Sequence, residues 1–127
     1  MKATELMIGD WVAQKHSGLL LKVSEVRPPY IIADGEGGQF HEDTLEPIPL
    51  TEKSLLANGF DYERNIGYVY DDGEYEVVVD LWNYGYRILH DRDVVMNIHC
   101  FCDVFVHELQ HALRLCDVDK EITIKED

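Results

Sequence analysis

A five-residue segment near the C-terminus has the residue types and the spacing of a zinc site. His107 and His111 are four positions apart and Glu108 follows the first histidine, which is the H-E-x-x-H pattern of metalloproteases. On a helix, residues at i and i+4 project from one face, so two imidazoles can bind one tetrahedral zinc ion. The glutamate would then activate a metal-bound water. The segment therefore raises the hypothesis of a zinc-dependent hydrolase with Glu108 as its catalytic residue.

A zinc site of this kind needs a third ligand. The sequence has a candidate at the right spacing, but it lacks another residue of the pattern. Asp117 lies six positions after His111, where longer metalloprotease patterns place their third ligand. Those patterns have a glycine where this chain has Arg114, which prolongs a helix. At 100° per residue, His107 also lies opposite the apolar side of the helix and is expected to face solvent. We therefore interpret the segment as a solvated polar face without catalysis or metal, and keep a zinc site of His107, His111 and Asp117 as the alternative.

The three cysteines all lie in the last third of the chain. Cys100 and Cys102 alternate along a predicted strand and are expected on one face of it, with Cys116 at the end of the final helix. Three thiols cannot all pair, and reduced thiols are typical of the cytosol. Their spacing is not that of a zinc knuckle. We interpret them as small apolar side chains.

A helix over residues 104–116 is expected to position this segment, with Asp103 as its N-cap. The 3.6-residue period predicts that its core side bears Phe101, Phe105, Leu109, Ala112, Leu115 and Cys116. Residues 121–124 after this helix are compatible with a terminal strand.

The first half of the sequence has the pattern of short strands. Residues 10–14, 19–26 and 30–33 are β-prone, and the glycine-rich stretch 34–38 leads into residues 39–41. Leu21 and Val23 are expected on one face of the second strand. Strands of this length and spacing are typical of a small barrel. The prediction for residues 1–50 is an SH3-like small β-barrel.

A second unit, α+β in class, is predicted for residues 51–127. Pro47-Ile48-Pro49 is a stiff connector, after which Thr51 caps a short helix that Asn58-Gly59 ends. Tyr68 to Val79, with a turn at Asp72-Gly73, is the clearest hairpin. Residues 81–84 and 86–90 are predicted as two further strands. The whole chain is thus expected to be α+β, with the barrel followed by an antiparallel sheet, one short helix and one longer C-terminal helix.

The composition is that of an acidic globular protein. The 127 residues include 25 acidic and 11 basic side chains, a net charge of −14. This balance argues against a nucleic-acid binder, which needs clustered Lys and Arg. The sequence has neither an apolar run of about 20 residues nor a signal peptide, so we expect a cytoplasmic protein without membrane contact. The acidity also permits an alternative, an acidic nucleic-acid mimic that binds a basic partner protein.

Three segments are similar to a group of small proteins of Bacteroides-type gut bacteria and their phages, for which no function is established. They are residues 5–12, 45–60 and 106–113, and the stretch Pro47-Ile48-Pro49-Leu50-Thr51-Glu52 is the most specific. In that group the last helix has the form V-H-x-L-Q followed by a polar residue, often asparagine. The resemblance therefore implies that Glu108 and His111 are incidental and that the chain is derived from a phage or another mobile element. Together with the incomplete zinc pattern, it favours a non-enzymatic interaction or accessory protein with an unknown protein partner.

Overall fold

A computed structural model describes residues 1–100 and 103–124. The chain is α+β, with two antiparallel five-stranded sheets and two α-helices in this described part. It divides into two compact units within the proline-rich connector, Met1–Ile48 and Pro49–Thr123, with Ile124 grouped with the first. The predicted α+β class is confirmed.

The first unit is one sheet in the order β4-β3-β2-β1-β5. Leu21 and Val23 of β2 are both buried, as their alternation predicts, and they pack in a core with Ile31 and Leu45. The five strands are β1 Trp11–Gln14, β2 Leu20–Arg27, β3 Tyr30–Ala33, β4 Phe40–His41 and β5 Leu45–Glu46, with 3-10 helices at Ala3–Glu5 and Glu42–Thr44.

This sheet is not closed, so the predicted closed barrel is not confirmed. β4 and β5 lie at its two edges and, within residues 1–100 and 103–124, do not pair with each other. Each of these two strands has only two residues. β4 pairs with β3, and β5 pairs with β1.

The second unit contains a meander in the order β10-β9-β8-β7-β6, in which all neighbours are antiparallel. The predicted hairpin is confirmed, and Asp72 N–H donates to the Tyr75 carbonyl across its turn. Residues 81–84, predicted as a strand, instead form the connection between β8 and β9. The strands are β6 Asp61–Glu63, β7 Gly67–Asp71, β8 Tyr75–Asp80, β9 Gly85–His90 and β10 Asp93–His99.

The short helix α1, Glu52–Ala57, has the predicted ends. The Thr51 hydroxyl accepts from Ser54 N–H, and the Ser54 hydroxyl accepts from Thr51 N–H in return, which forms a capping box. Gly59 has a φ of +86°, the left-handed conformation that ends a helix. Local side-chain chemistry is therefore enough to set both ends of α1.

The longer helix α2, Val106–Leu115, begins two residues later than predicted. Phe105 rather than Asp103 is its N-cap, with no side-chain cap. Leu50 N–H donates to the Val104 carbonyl at 2.8 Å, and Pro49 forms a β-bridge with Phe105. These backbone contacts hold residues 104 and 105 in extended conformation, so the helix cannot include them.

Candidate functional site

The histidine pair of the zinc pattern lies on α2, but one ring is placed differently from the prediction. The expectation that His107 faces solvent is wrong, because it is buried with 6% of its surface exposed. Its ring stacks on Phe105, with centroids 6.2 Å apart, and meets the edge of the His111 ring at 5.7 Å and 81°. Leu115, predicted on the core side, is 77% exposed.

Both differences follow from the width of the buried side of α2. The buried residues extend over about 220° of its circumference, from Ala112 to His107. The apolar residues alone predict a buried side that is narrower than the observed one and centred on a different direction around the helix. Phe101, also predicted to belong to this stripe, lies outside the described residues.

The structure does not bring the three proposed zinc ligands together. Asp117 follows the helix in left-handed conformation, with φ +59°, and is exposed. Within residues 1–100 and 103–124, no three His, Cys, Asp or Glu side chains form a group that could hold a metal ion. His107, His111 and Asp117 are therefore not grouped as the three ligands of one metal ion.

Tyr86 of the second sheet is buried. Burial, with smaller contributions from Cys100, Glu108 and Cys116, raises the pKa of Tyr86 to about 12. Burial and the charge of Asp117 also raise the pKa of the Cys116 thiol. A raised pKa lowers the thiolate fraction that a nucleophilic cysteine needs. The expected shared face of Cys100 and Cys102 stays a prediction, since Cys102 lies outside the described residues.

Two buried amide side chains, which sequence reasoning missed, hold the segment after α2. Gln110 Nε2 donates to the Lys120 carbonyl at 3.1 Å, and Gln110 Oε1 accepts from Ile122 N–H at 2.7 Å. Asn58 contacts Thr123 in the same way, as donor at 2.9 Å and acceptor at 2.8 Å. These contacts replace the ladder of the terminal strand expected at residues 121–124. The helical pattern places Gln110 off the apolar stripe, so the sequence carries no signal for its burial.

Apolar side chains are exposed at one end of the second sheet, which we call the aromatic end. Trp82, in the β8–β9 connection, has 84% of its surface exposed. Two open clefts, of about 90 and 290 Å³, lie here and share Ile66, Asp80 and Asn83 as lining residues. The exposed apolar residues of the aromatic end are Tyr62, Ile66, Trp82, Tyr84 and Ile98.

Asp80 fixes the loop that presents Trp82. Its carboxylate accepts from Trp82 N–H at 3.0 Å, from Asn83 N–H at 3.2 Å and from Asn83 Nδ2 at 2.8 Å. Burial alone would raise the pKa of Asp80, but these hydrogen bonds and the charge of Arg87 outweigh it and hold the pKa below its ordinary value. The loop is an Asp-stabilised turn, which is why it is not the predicted strand.

The other end of the same sheet, which we call the acidic end, bears carboxylates on the β7–β8 and β9–β10 turns. An open cleft of about 360 Å³ lies here, lined by Arg92 and by the carboxylates of Asp71, Glu74, Glu76 and Asp91. His90 Nε2 lies 3.2 Å from Glu74 Oε1. The acidic residues of this end are Asp71, Asp72, Glu74, Glu76, Asp91 and Asp93.

Comparisons with protein-family models, with curated proteins and with solved structures find no match for this chain. In the described part, no helix is both long and apolar enough to span a membrane. The functional conclusion therefore depends on the geometry of the sites above.

Proposed function

We propose that this chain is a non-enzymatic interaction protein whose second unit binds a protein partner through the aromatic end. The observation that supports this most is the 84% exposure of Trp82. A tryptophan costs free energy when it is held in water, and Trp and Tyr are the residues most enriched at the energetic centres of protein interfaces. Here the Asp80 turn holds the indole outward in a defined loop.

The surroundings of Trp82 favour a protein rather than a small substrate. Tyr62 and Ile66 are exposed and line the same open cleft as Trp82, and the exposed Tyr84 follows Trp82 in the same connection. Clusters of this kind mark interaction surfaces. The net charge of −14 favours a partner with a basic surface, by electrostatic steering.

We also propose that the first unit has SH3-like topology. Its strand order is β4-β3-β2-β1-β5, and a 3-10 helix connects β4 to β5. Both features support this proposal even though the sheet is open. The cytoplasmic location and the derivation from a mobile element stay predictions from the sequence.

The six carboxylates of the acidic end favour a second candidate function, that of a nucleic-acid mimic. That function predicts that DNA competes with the chain for a basic partner and that about 0.3 M salt abolishes binding. Binding through the aromatic end predicts retention in the same salt, because apolar contacts are not screened.

Affinity capture from the native host tests the first proposal. Trp82→Ala is expected to reduce recovery of a specific partner about tenfold or more. Leu115→Ala is the matched control, since Leu115 is 77% exposed but lines neither cleft of the aromatic end. Equal recovery with Trp82→Ala and with the unaltered protein would overturn the proposal.

A further inference from the structure

We infer that the partner contributes an extended segment that pairs antiparallel with β10 and adds a sixth strand to the second sheet. This inference rests on the proposed function and states how the partner is held. The segment has apolar side chains in its N-terminal half, at the aromatic end, and basic side chains in its C-terminal half, at the acidic end.

β10 lies at one edge of the second sheet. This strand has seven residues and, within residues 1–100 and 103–124, pairs only with β9. Cys100 N–H donates to the Tyr84 carbonyl, and hydrogen-bonded positions alternate along an antiparallel pair. The backbone N–H and C=O groups of Asn97 and His99 therefore point away from β9, toward the free edge. They are placed to bond a further strand.

The C-terminal half of β10 lacks the features that usually protect edge strands from pairing. Val94, Val95 and Ile98 are exposed apolar side chains along β10. Proteins normally shorten such edges or place charges on them to prevent unwanted pairing. The opposite edge strand, β6, follows that rule with three residues, Asp61–Glu63. The one irregularity in β10, between Val94 and Met96, leaves its C-terminal half regular.

The free edge of β10 adjoins the aromatic end, because residues of β10 line one of its two clefts. Asn97, Ile98 and His99 line the smaller cleft, which shares Ile66 and Asn83 with the cleft beside Trp82. A segment bound along β10 would thus reach the aromatic cluster at one end. Its side chains there must be apolar to bury that surface.

Negative charge at the start of β10 favours a segment with basic side chains. It does not favour a second copy of this acidic chain as the occupant. β10 begins at Asp93, beside Asp91 and Glu74 of the acidic end, so basic side chains are favoured there. Two copies of this chain, each with a net charge of −14, repel each other as they approach. Because β10 runs from the acidic to the aromatic end, an antiparallel segment begins at the aromatic end.

A display library of random nine-residue peptides, selected on the full chain, tests this inference. We expect enriched peptides with an apolar N-terminal half and Lys or Arg in the C-terminal half. Asn97→Pro removes one outward N–H at an edge position that tolerates proline, and should weaken their binding about tenfold or more. Asn97→Ala removes the same side chain but keeps the N–H, so the difference in binding between Asn97→Pro and Asn97→Ala measures the contribution of that N–H.

Hydrogen exchange on the unaltered protein gives a second measurement that does not depend on how Asn97→Pro folds. Bound peptide should slow amide exchange at Asn97 and His99. Peptides that need Trp82 but leave these amides unprotected, and bind Asn97→Pro equally, overturn strand addition and leave the proposed function intact. Peptides that protect these amides but bind Trp82→Ala equally support strand addition and overturn the aromatic end as the main binding surface. The absence of any enriched peptide overturns strand addition.

Discussion

Gln110 binds the backbone of Ile122 with its side-chain amide, at 2.7 Å from oxygen to nitrogen. The two residues are twelve positions apart, and both are buried. Together with the equivalent contacts of Asn58 to Thr123, this amide fixes the segment that follows α2 without any strand pairing. The buried polar side of α2 thus holds the segment that follows the helix.

Gln110→Ala should loosen this segment. It leaves the buried Ile122 N–H and the Lys120 carbonyl without their side-chain partner, which costs about 1–3 kcal/mol of local opening free energy. Hydrogen exchange of residues 118–124 measures this as faster exchange. Gln39→Ala, at an exposed glutamine, should leave the exchange unchanged. Unaltered protection in Gln110→Ala would contradict the role given to this amide.

The Asp80 turn should be sensitive to acid. Because the folded pKa of Asp80 lies below the ordinary 3.8, its contribution to stability is present above that pH and is lost as the pH falls through the folded value. A pH titration by NMR, followed at the Trp82 and Asn83 amides, should show a midpoint below 3.8. Asp80→Asn keeps an acceptor oxygen and should abolish the titration at these amides. A midpoint above 3.8 would show that burial outweighs the hydrogen bonds.

Tyr86 should ionise later than the exposed tyrosines. Its pKa is raised from 10 to about 12, so its contribution to stability is complete below pH 10 and is lost as the pH rises toward 12. Ultraviolet titration should show a late phenolate component that Tyr86→Phe removes and that Tyr84→Phe, at an exposed position, does not. If every tyrosine ionised near pH 10, the burial of Tyr86 in the folded protein would be wrong.

Protein without a histidine tag, equilibrated with zinc and dialysed, should retain less than one zinc ion per chain. The expectation rests on the geometry of His107, His111 and Asp117, which do not form a ligand group. Elemental analysis measures the metal content. One zinc per chain, lost in both His107→Ala and His111→Ala, would revive the hydrolase alternative with Glu108 as its catalytic residue.

Local chemistry made part of this fold predictable. The Thr51 cap, the Gly59 stop and the turn at Asp72 each depend on residues within a few positions, and each is present as predicted. The same holds for the alternation that buries Leu21 and Val23.

The wrong predictions have two physical causes. Some depend on contacts between residues far apart in the sequence, and one depends on the Asp80 side chain, which imposes a turn on residues with strand propensity. His107 and Gln110 are buried although they lie off the apolar stripe, and Gln110 finds its partners ten and twelve residues away. Residues 81–84 have β-prone types, but the hydrogen bonds of Asp80 impose a turn. The aromatic end is therefore not predicted as a site, although Trp82 lies between Asp80 and Asn83, two residue types typical of turns.

Photo-crosslinking from position 82 is the most direct test of protein binding at the aromatic end. A benzophenone amino acid placed at position 82 in the native host should crosslink to one discrete basic protein. The same amino acid placed at position 115, an equally exposed apolar site on α2, should not. Identical crosslinking patterns from the two positions, or none from position 82, would contradict binding through the aromatic end.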